Sequence, residues 1–372
     1  MHKKRLDTLS LVVEAALKNK KLSLTGLGRE IDLPIQERSG IRRVDRFLGN
    51  EKLYNERFAI QKMIAKMLIT KPRPWIIVDW SEVPNSFEHV LRAALVAEGR
   101  AITLYEEVHP EKKLSNPKVE KNFLERLKLL LPNDSKATIV TDAGFHNKWF
   151  KEVLKLGWDY VGRIRSGKKY SVDDGVTWYR HKKLFSKARS TPKHVGKVLL
   201  CRTNPLESHL YLYKDKAKKR SLLNKSGKKR RDTNSMDHRK AAKEAWVLAS
   251  SLNGRGIAKR VIKIYKKRMQ IEEGFRDLKS SQYGFGFEDA RSKKRKRIEI
   301  LLLIALVASF IAWFIGWVTE KNKLHYQFQS NTIKTRRVLS FFYLGCRVIK
   351  KGMRGNGNRL ETIIAEGLTY AM

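Results

Sequence analysis

Two short runs of apolar and β-branched residues, each closed by an aspartate, constrain this chain more than any other feature: Trp75-Ile-Ile-Val-Asp79 and Ala137-Thr-Ile-Val-Thr-Asp142. Such runs read as strands suited to burial, where an unpaired carboxylate is costly and a bound metal ion would offset the cost. A third carboxylate stands on a helical stripe. At roughly 100° per residue, Tyr265, Arg268, Glu272, Arg276 and Lys279 fall within about an 80° sector of one helix, which holds Glu272 among cations and a phenol. Glu273 is displaced by about 100° and cannot share that face. Three carboxylates from separate elements could converge on metal ions, in the layout of a nuclease or a transposase. The structural alternatives are an aspartate bridging strands at position 79 and a simple turn residue before Gly144 at position 142.

The surrounding pattern supplies a scaffold. Trp75 to Val83, Val90 to Glu98 and Ala101 to Val108 read as three antiparallel strands, with Glu98-Gly-Arg100 as the second turn. A helix from Pro117 to Leu131, a strand ending at Asp142, a helix from Asn147 to Leu156 and a strand from Asp159 to Arg165 complete the order expected of an α/β, ribonuclease-H-like core. Shorter strand-like pieces follow at Val198 to Arg202, His209 to Tyr213 and Ala245 to Ser250. Between the last two lies Lys214 to Arg231, in which ten of eighteen residues are Lys or Arg. It reads as a solvated loop that could also clamp a DNA backbone.

Ahead of this core, residues 7 to 70 read as helical, with Leu9, Val12, Val13, Ala16 and Leu17 at helical spacing. A short helix after Ser23 or Thr25, a turn at Asp32-Leu-Pro34 and a helix from Arg38 to Leu48 suggest a helix-turn-helix. Its second helix buries Ile41, Val44, Phe47 and Leu48 and projects Arg42, Arg43 and Arg46 toward phosphates or a groove. An ordinary helical bundle with solvated arginines is the alternative. Gly49-Asn50 is a stop signal, a helix from Asn55 to Leu68 follows, and Lys71-Pro-Arg-Pro74 is a linker.

Lys and Arg number 79 against 37 acids in 372 residues, a net charge of +42 spread over the whole length, so the expected partner is a large polyanion, double-stranded DNA. Cys201 and Cys346 form no framework or CxxC pair, which points to a reducing cytoplasm and away from zinc. One segment resists a soluble reading. Ile300 to Thr319 is 20 residues without a charge, preceded by Lys293-Lys-Arg-Lys-Arg297 and ending in Trp313 and Trp317. By length and flanks it resembles a membrane span, yet a helix packed under the catalytic helix would be equally apolar.

With Val78-Asp79-Trp80-Ser81, Thr141-Asp142-Ala143-Gly144-Phe145 and the Tyr-x2-Arg-x3-Glu-x6-Lys signature from Tyr265 to Lys279, the chain resembles the DDE transposases of the insertion-sequence-four family. Lys267-Arg-Met-Gln-Ile-Glu-Glu273 and Phe275-Arg-Asp-Leu-Lys279 further resemble the branch encoded by insertion sequence ten. The similarity runs from about residue 7 to about 350, with roughly 168 to 240 loosely matched. It makes the chain an expected transposase, with competing readings as a tethered non-catalytic DNA-binding protein or a structure-selective endonuclease.

The resemblance implies a helical DNA-binding domain over 1–70, a catalytic core over 71–165 and 254–330, a β-rich insertion over 166–253 and a helical region over 331–372. It also implies two Mg²⁺ ions, replaceable by Mn²⁺, held by Asp79, Asp142 and Glu272, of which Asp79 bridges both. Arg268 and Lys279 would hold flanking phosphates and Tyr265 would hydrogen-bond one. Trp246 would receive an extruded base, although a buried structural tryptophan is the commoner role of such a residue. Synapsis of two DNA ends implies a homodimer without a membrane partner.

Overall fold

The computed structural model describes residues 1–165, 167–215, 244–330, 332–333 and 335–352, which form two compact units of mixed α/β structure. The first comprises residues 1–116, 126–135 and 269 onward; the second comprises residues 117–125 and 136–268.

The first unit opens with four helices: α1 (Lys3–Asn19), α2 (Leu24–Arg29), α3 (Glu37–Leu48) and α4 (Glu51–Leu68). Side-chain caps set their starts. Ser23 accepts the N–H of Gly26, and Asn50 accepts that of Leu53 at 2.9 Å. The second cap explains why α4 begins four residues before the expected Asn55: Asn50 both follows one helix and opens the next. The α2–α3 crossing depends on two glycines, because a Cβ on Gly40 would stand 2.3 Å from the Gly28 carbonyl oxygen.

After the prolines the period shifts to strands β1 (Trp75–Glu82), β2 (Glu88–Val96) and β3 (Ala101–Pro110), an antiparallel meander in the order β3-β2-β1. Gly99, at φ +75, makes the second turn, as its position in the sequence predicts. Helices α8 (Met269–Lys279), α9 (Arg295–Lys321) and α10 (Phe341–Gly352) complete this unit; α5 (Pro117–Leu130), α6 (Asn147–Lys155) and α7 (Ile257–Lys266) belong wholly or partly to the second.

Helix α9 contains the apolar segment. It is long and apolar enough to cross a membrane, but two thirds of its most apolar window is buried within the protein. None of residues 297 to 320 is exposed. Near its start, buried Glu299 pairs with Arg57 at 3.1 Å and accepts the N–H of Val108 at 2.9 Å, satisfying one backbone donor of β3. The preceding basic residues are also engaged: Arg295 with Glu88, Lys296 with Glu51 and Arg297 with Asp45. The expected place of α9 beneath the catalytic helix needs correction. Its main packing is on α10, β3, α1 and α4. Residues of α8 (Gly274, Asp277 and Leu278) and of α9 (Leu306, Ser309 and Trp313) line one small cavity.

The second unit contains β4 (Thr138–Thr141), α6 (Asn147–Lys155), β5 (Asp159–Arg163), β6 (Lys169–Ser171), β7 (Tyr179–Arg180), β8 (Lys193–Leu200), β9 (Leu206–Tyr213), β10 (Trp246–Ser250) and α7 (Ile257–Lys266); α5 (Pro117–Leu130) begins in it. β4 and β5 pair in parallel, and the order continues β5-β10-β9-β8-β6-β7 with antiparallel pairing. Strands β6 and β7 have only three and two residues, too few for a periodic signal, and are absent from the sequence reading. Beyond Asp215, the basic run to Arg231 lies outside the described residues.

The α9–α10 contact is close enough to be tested. A Cβ on Gly345 would lie 1.8 Å from the Ala312 carbonyl oxygen, a backbone atom that cannot step aside. Gly345→Ala is expected to destabilise the protein by about 1–3 kcal/mol, toward the upper end, because overpacking here must move a helix. Thermal unfolding of the variant beside the parent checks this.

Candidate active site

β1 delivers Asp79 half-buried, with its Oδ1 accepting the N–H of Trp80 at 2.9 Å. Directly opposite in register stands Arg92 on β2, and opposite Arg92 stands Glu106 on β3. Cross-strand partners share a face, so these three charged side chains line one side of the meander. Arg92 is paired with Glu106 at 2.7 Å, both almost fully buried. Burial pushes the Glu106 carboxyl above its ordinary range, and Arg92 opposes that shift.

Helix α8 packs against this face. The Arg92 guanidinium lies 4.3 Å over the ring of Phe275, and Lys279 Nζ donates to Ser81 Oγ at 2.9 Å. Ser81 is two residues beyond Asp79 and therefore on the same side of β1. Burial, followed by the charge of Arg92, pushes the Lys279 amine below its ordinary value, while Glu82 acts in the opposite sense. An approaching anion would relieve this half-buried cation. Glu272 is exposed and lies two turns before Lys279, about 20° away around the helix. The anchored Lys279 thus fixes the face on which Glu272 is presented.

Glu273 has a different task. It pairs with Arg100 at 2.7 Å, and Arg100 also holds Asp277 at 2.8 Å.

The single helix expected from Tyr265 to Lys279 needs correction. Tyr265 lies on α7, α8 starts at Met269, and Lys267 and Arg268 form the turn between them. Their N–H groups bond to Ile264 and Tyr265, three residues back rather than four. This tightening breaks the α-helical ladder.

In the second unit, Asp142 follows β4 and accepts the N–H of Gly144 at 2.8 Å. Tyr265 is buried there. Burial pushes its phenol up, Arg268 and Arg163 oppose the shift, and Asp142 adds to it, which places all four groups within electrostatic reach of one another. The ring of Trp246, half-buried, meets Tyr265 edge-on at 5.0 Å and lies 5.4 Å from Tyr213. Tyr213 also receives a hydrogen bond from Lys266 at 2.8 Å.

Arg163 and Arg92 were not singled out by the sequence reading. Among the described residues, two buried guanidinium nitrogens of Arg163, Nε and Nη2, have no hydrogen-bond partner, and Nη2 lies 3.8 Å from the Glu244 carboxylate. Both arginines interrupt apolar strands, Val90-Leu-Arg92-Ala-Ala94 and Tyr160-Val-Gly-Arg163. Like Asp79, each is a charge in a strand built for burial. On α3, Arg42 and Arg46 are exposed, Arg43 is half-buried, and Val44, Phe47 and Leu48 are buried.

The model of the transposase DDE domain matches residues 71–311, about two thirds of the chain. The chain belongs to that family. It is a DDE transposase, a polynucleotidyl transferase and endonuclease of an insertion-sequence type of element, and DNA is its expected substrate. No curated protein matches it. Transposases of this kind generally use divalent metal ions. Among the described residues, no group of three His, Cys, Asp or Glu side chains is positioned to hold one. The candidate donors fit the requirement chemically: Asp79, Asp142 and Glu272 offer hard carboxylate oxygens, which suit Mg²⁺ or Mn²⁺.

Asp79→Ala, Asp142→Ala and Glu272→Ala are each expected to abolish DNA cleavage while leaving DNA binding largely intact, because cationic side chains carry most of the affinity. Glu273→Ala should retain cleavage and slightly lower thermal stability by removing one of the two carboxylates that hold Arg100. Gel-shift, cleavage and melting measurements on the four variants separate these outcomes, and an essential Glu273 beside a dispensable Glu272 contradicts the assignment.

Proposed function

We propose that this chain is the cut-and-paste transposase of a bacterial insertion sequence of the insertion-sequence-four family, in the branch of insertion sequence ten. In this reading Asp79, Asp142 and Glu272 would hold the divalent ions, two Mg²⁺ per site. The ions, when bound, sharpen the attacking oxygen and stabilise the leaving one. The anchoring of Lys279 on Ser81, two residues from Asp79, carries the reading, because it ties the signature helix to a carboxylate strand.

The chain's own residues position the DNA. Lys279 and Arg268 hold the phosphates flanking the scissile bond, Tyr265 donates its hydroxyl to one, and Arg163 supplies a further guanidinium. Water attacks phosphorus at the element's end and a 3′-oxygen leaves. The freed 3′-hydroxyl attacks a phosphodiester of the opposite strand, closing a hairpin as the flanking DNA leaves with its 3′-oxygen; water opens the hairpin and releases the 3′-hydroxyl, which then attacks a phosphodiester of target DNA and displaces a 3′-oxygen there. Trp246 stacks on the base extruded when the hairpin bends the backbone, with Tyr265 and Tyr213 behind it.

The division of labour follows: residues 1–70 bind the terminal repeats through α3 and Arg42, Arg43 and Arg46. A ribonuclease-H-like core over 71–165 and 254–330 performs the chemistry, and a β-rich insertion over 166–253 grips the strand. Two copies synapse two ends. Helix α9 serves as a core helix, which favours a cytoplasmic, nucleoid-associated protein over a membrane-tethered one.

The reading is tested with linear DNA carrying the element's own ends, with and without Mg²⁺, on a denaturing gel. Nicked, hairpinned and fully cleaved species should appear in that order. Trp246→Ala should lose about 1–3 kcal/mol of stacking, a roughly five- to hundredfold slowing of hairpin formation, so the nicked species accumulates. Equal loss of nicking and hairpinning with a lower melting temperature returns Trp246 to a packing role.

High salt and nuclease should release the protein from a cell lysate without detergent. Retention in washed membranes supports the tethered reading.

A further inference from the structure

On the transposase reading, we infer that Glu244 is a placeholder for DNA: in the DNA-free protein its carboxylate stands where a backbone phosphate belongs, beside Arg165 and Arg163, and it must leave as that phosphate enters.

These residues share one face of the second unit's sheet. Arg163 ends β5 opposite Leu248 on β10, and the Ile164 N–H bonds to the Val247 carbonyl at 2.8 Å, which carries the pairing one step further. Continued register sets Arg165 opposite Trp246, on the side that Arg163 and Leu248 occupy. Glu244 lies two residues before Trp246 and closes on that row: its Oε2 accepts from Arg165 Nε at 3.0 Å and from Arg165 Nη2 at 2.8 Å. The same oxygen is 3.8 Å from Arg163 Nη2, outside hydrogen-bond range.

The contact is uneven, and a phosphate would even it. Arg165 is held, whereas Nε and Nη2 of Arg163 have no hydrogen-bond partner among the described residues. Burial pushes the Arg163 guanidinium below its ordinary value; Tyr265 and Glu244 oppose that shift, while Arg165 and Arg268 add to it. Guanidiniums gathered this closely favour an anion. A phosphodiester carries its negative charge on two non-bridging oxygens, so one can face Arg165 and the other Arg163, whereas Glu244 offers a single oxygen to both. The present occupant is readily displaced: the Glu244 and Arg165 side chains are 30% and 33% exposed, and ion pairs as open as this add little stability. Trp246, in the same row, marks the phosphate concerned as one adjoining the base that stacks there.

The test measures binding of the full chain to DNA carrying the element's own ends, without Mg²⁺ so that the DNA stays uncut. Glu244→Gln keeps the side chain's shape and removes the competing charge, and it should tighten binding roughly two- to fivefold. A glutamate that merely orients Arg165 gives the opposite sign. The gain should vanish when Arg165→Ala is added, and on DNA in which a neutral methylphosphonate replaces the one linkage that enters the site, found by scanning the linkages near the cleavage position. If Glu244→Gln does not fold, Glu244→Asp, whose carboxylate falls short of Arg165, makes the same comparison. Unchanged or weaker binding by the folded variant, or a gain that persists with Arg165→Ala, overturns the placeholder, and wild-type cleavage of the same ends with Mg²⁺ then leaves the transposase reading standing. A wild-type protein that neither binds nor cleaves its ends removes that reading, and the placeholder with it.

Discussion

The buried ion pair between Arg92 and Glu106 is the constraint on which the active-site half of the first unit depends. Arg92 stands opposite Asp79, and its charge is answered on one side by Glu106 and on another by the ring of Phe275. Removing one partner of such a pair typically costs about 3–5 kcal/mol, because the other charge stays buried alone. The pair therefore fixes the sheet face against which α8 docks. That docking places Lys279 on Ser81 and determines where Glu272 is presented. A strand of uniformly apolar residues would bury more surface but would leave Asp79 without this electrostatic frame.

Most of the scaffold is legible in the sequence because its elements have strong periods and clear punctuation. The three strands from Trp75 onward, their turn at Gly99 and the helices flanking Asp142 lie close to where pattern places them. Legibility fails where the deciding interaction is non-local or the element is very short. The break at Lys267 and Arg268 carries no proline or glycine, and a phase calculation that assumes one helix passes through it without notice. β6 and β7 exist only through their pairing with neighbours.

The apolar segment teaches a related lesson about composition. Ile300 to Thr319 satisfies every simple rule for a membrane span, and its basic flank looks like an orienting signal. In the fold, three residues of that flank meet Glu88, Glu51 and Asp45, and the helix carries a buried glutamate whose partner, Arg57, lies 242 residues earlier in the chain, far outside any sequence window. The exposed pairs contribute little stability individually, but they specify how the helix start is seated. At the candidate site, Asp79 draws notice in the sequence because a charge in a strand built for burial stands out. Arg92 and Arg163 obey the same rule, and only their surroundings separate them: Arg92 is closely paired with Glu106, whereas two nitrogens of Arg163 have no hydrogen-bond partner among the described residues.

The central claim is that Asp79, Asp142 and Glu272 serve one set of divalent ions. Replacing Mg²⁺ with Fe²⁺ and generating hydroxyl radicals at the bound metal cuts a polypeptide next to its ligands, whose positions can be read by mass spectrometry. The account predicts three cuts, near residues 79, 142 and 272, all suppressed by excess Mg²⁺. Cuts confined to one of these positions, or clustered elsewhere in the chain, would contradict it.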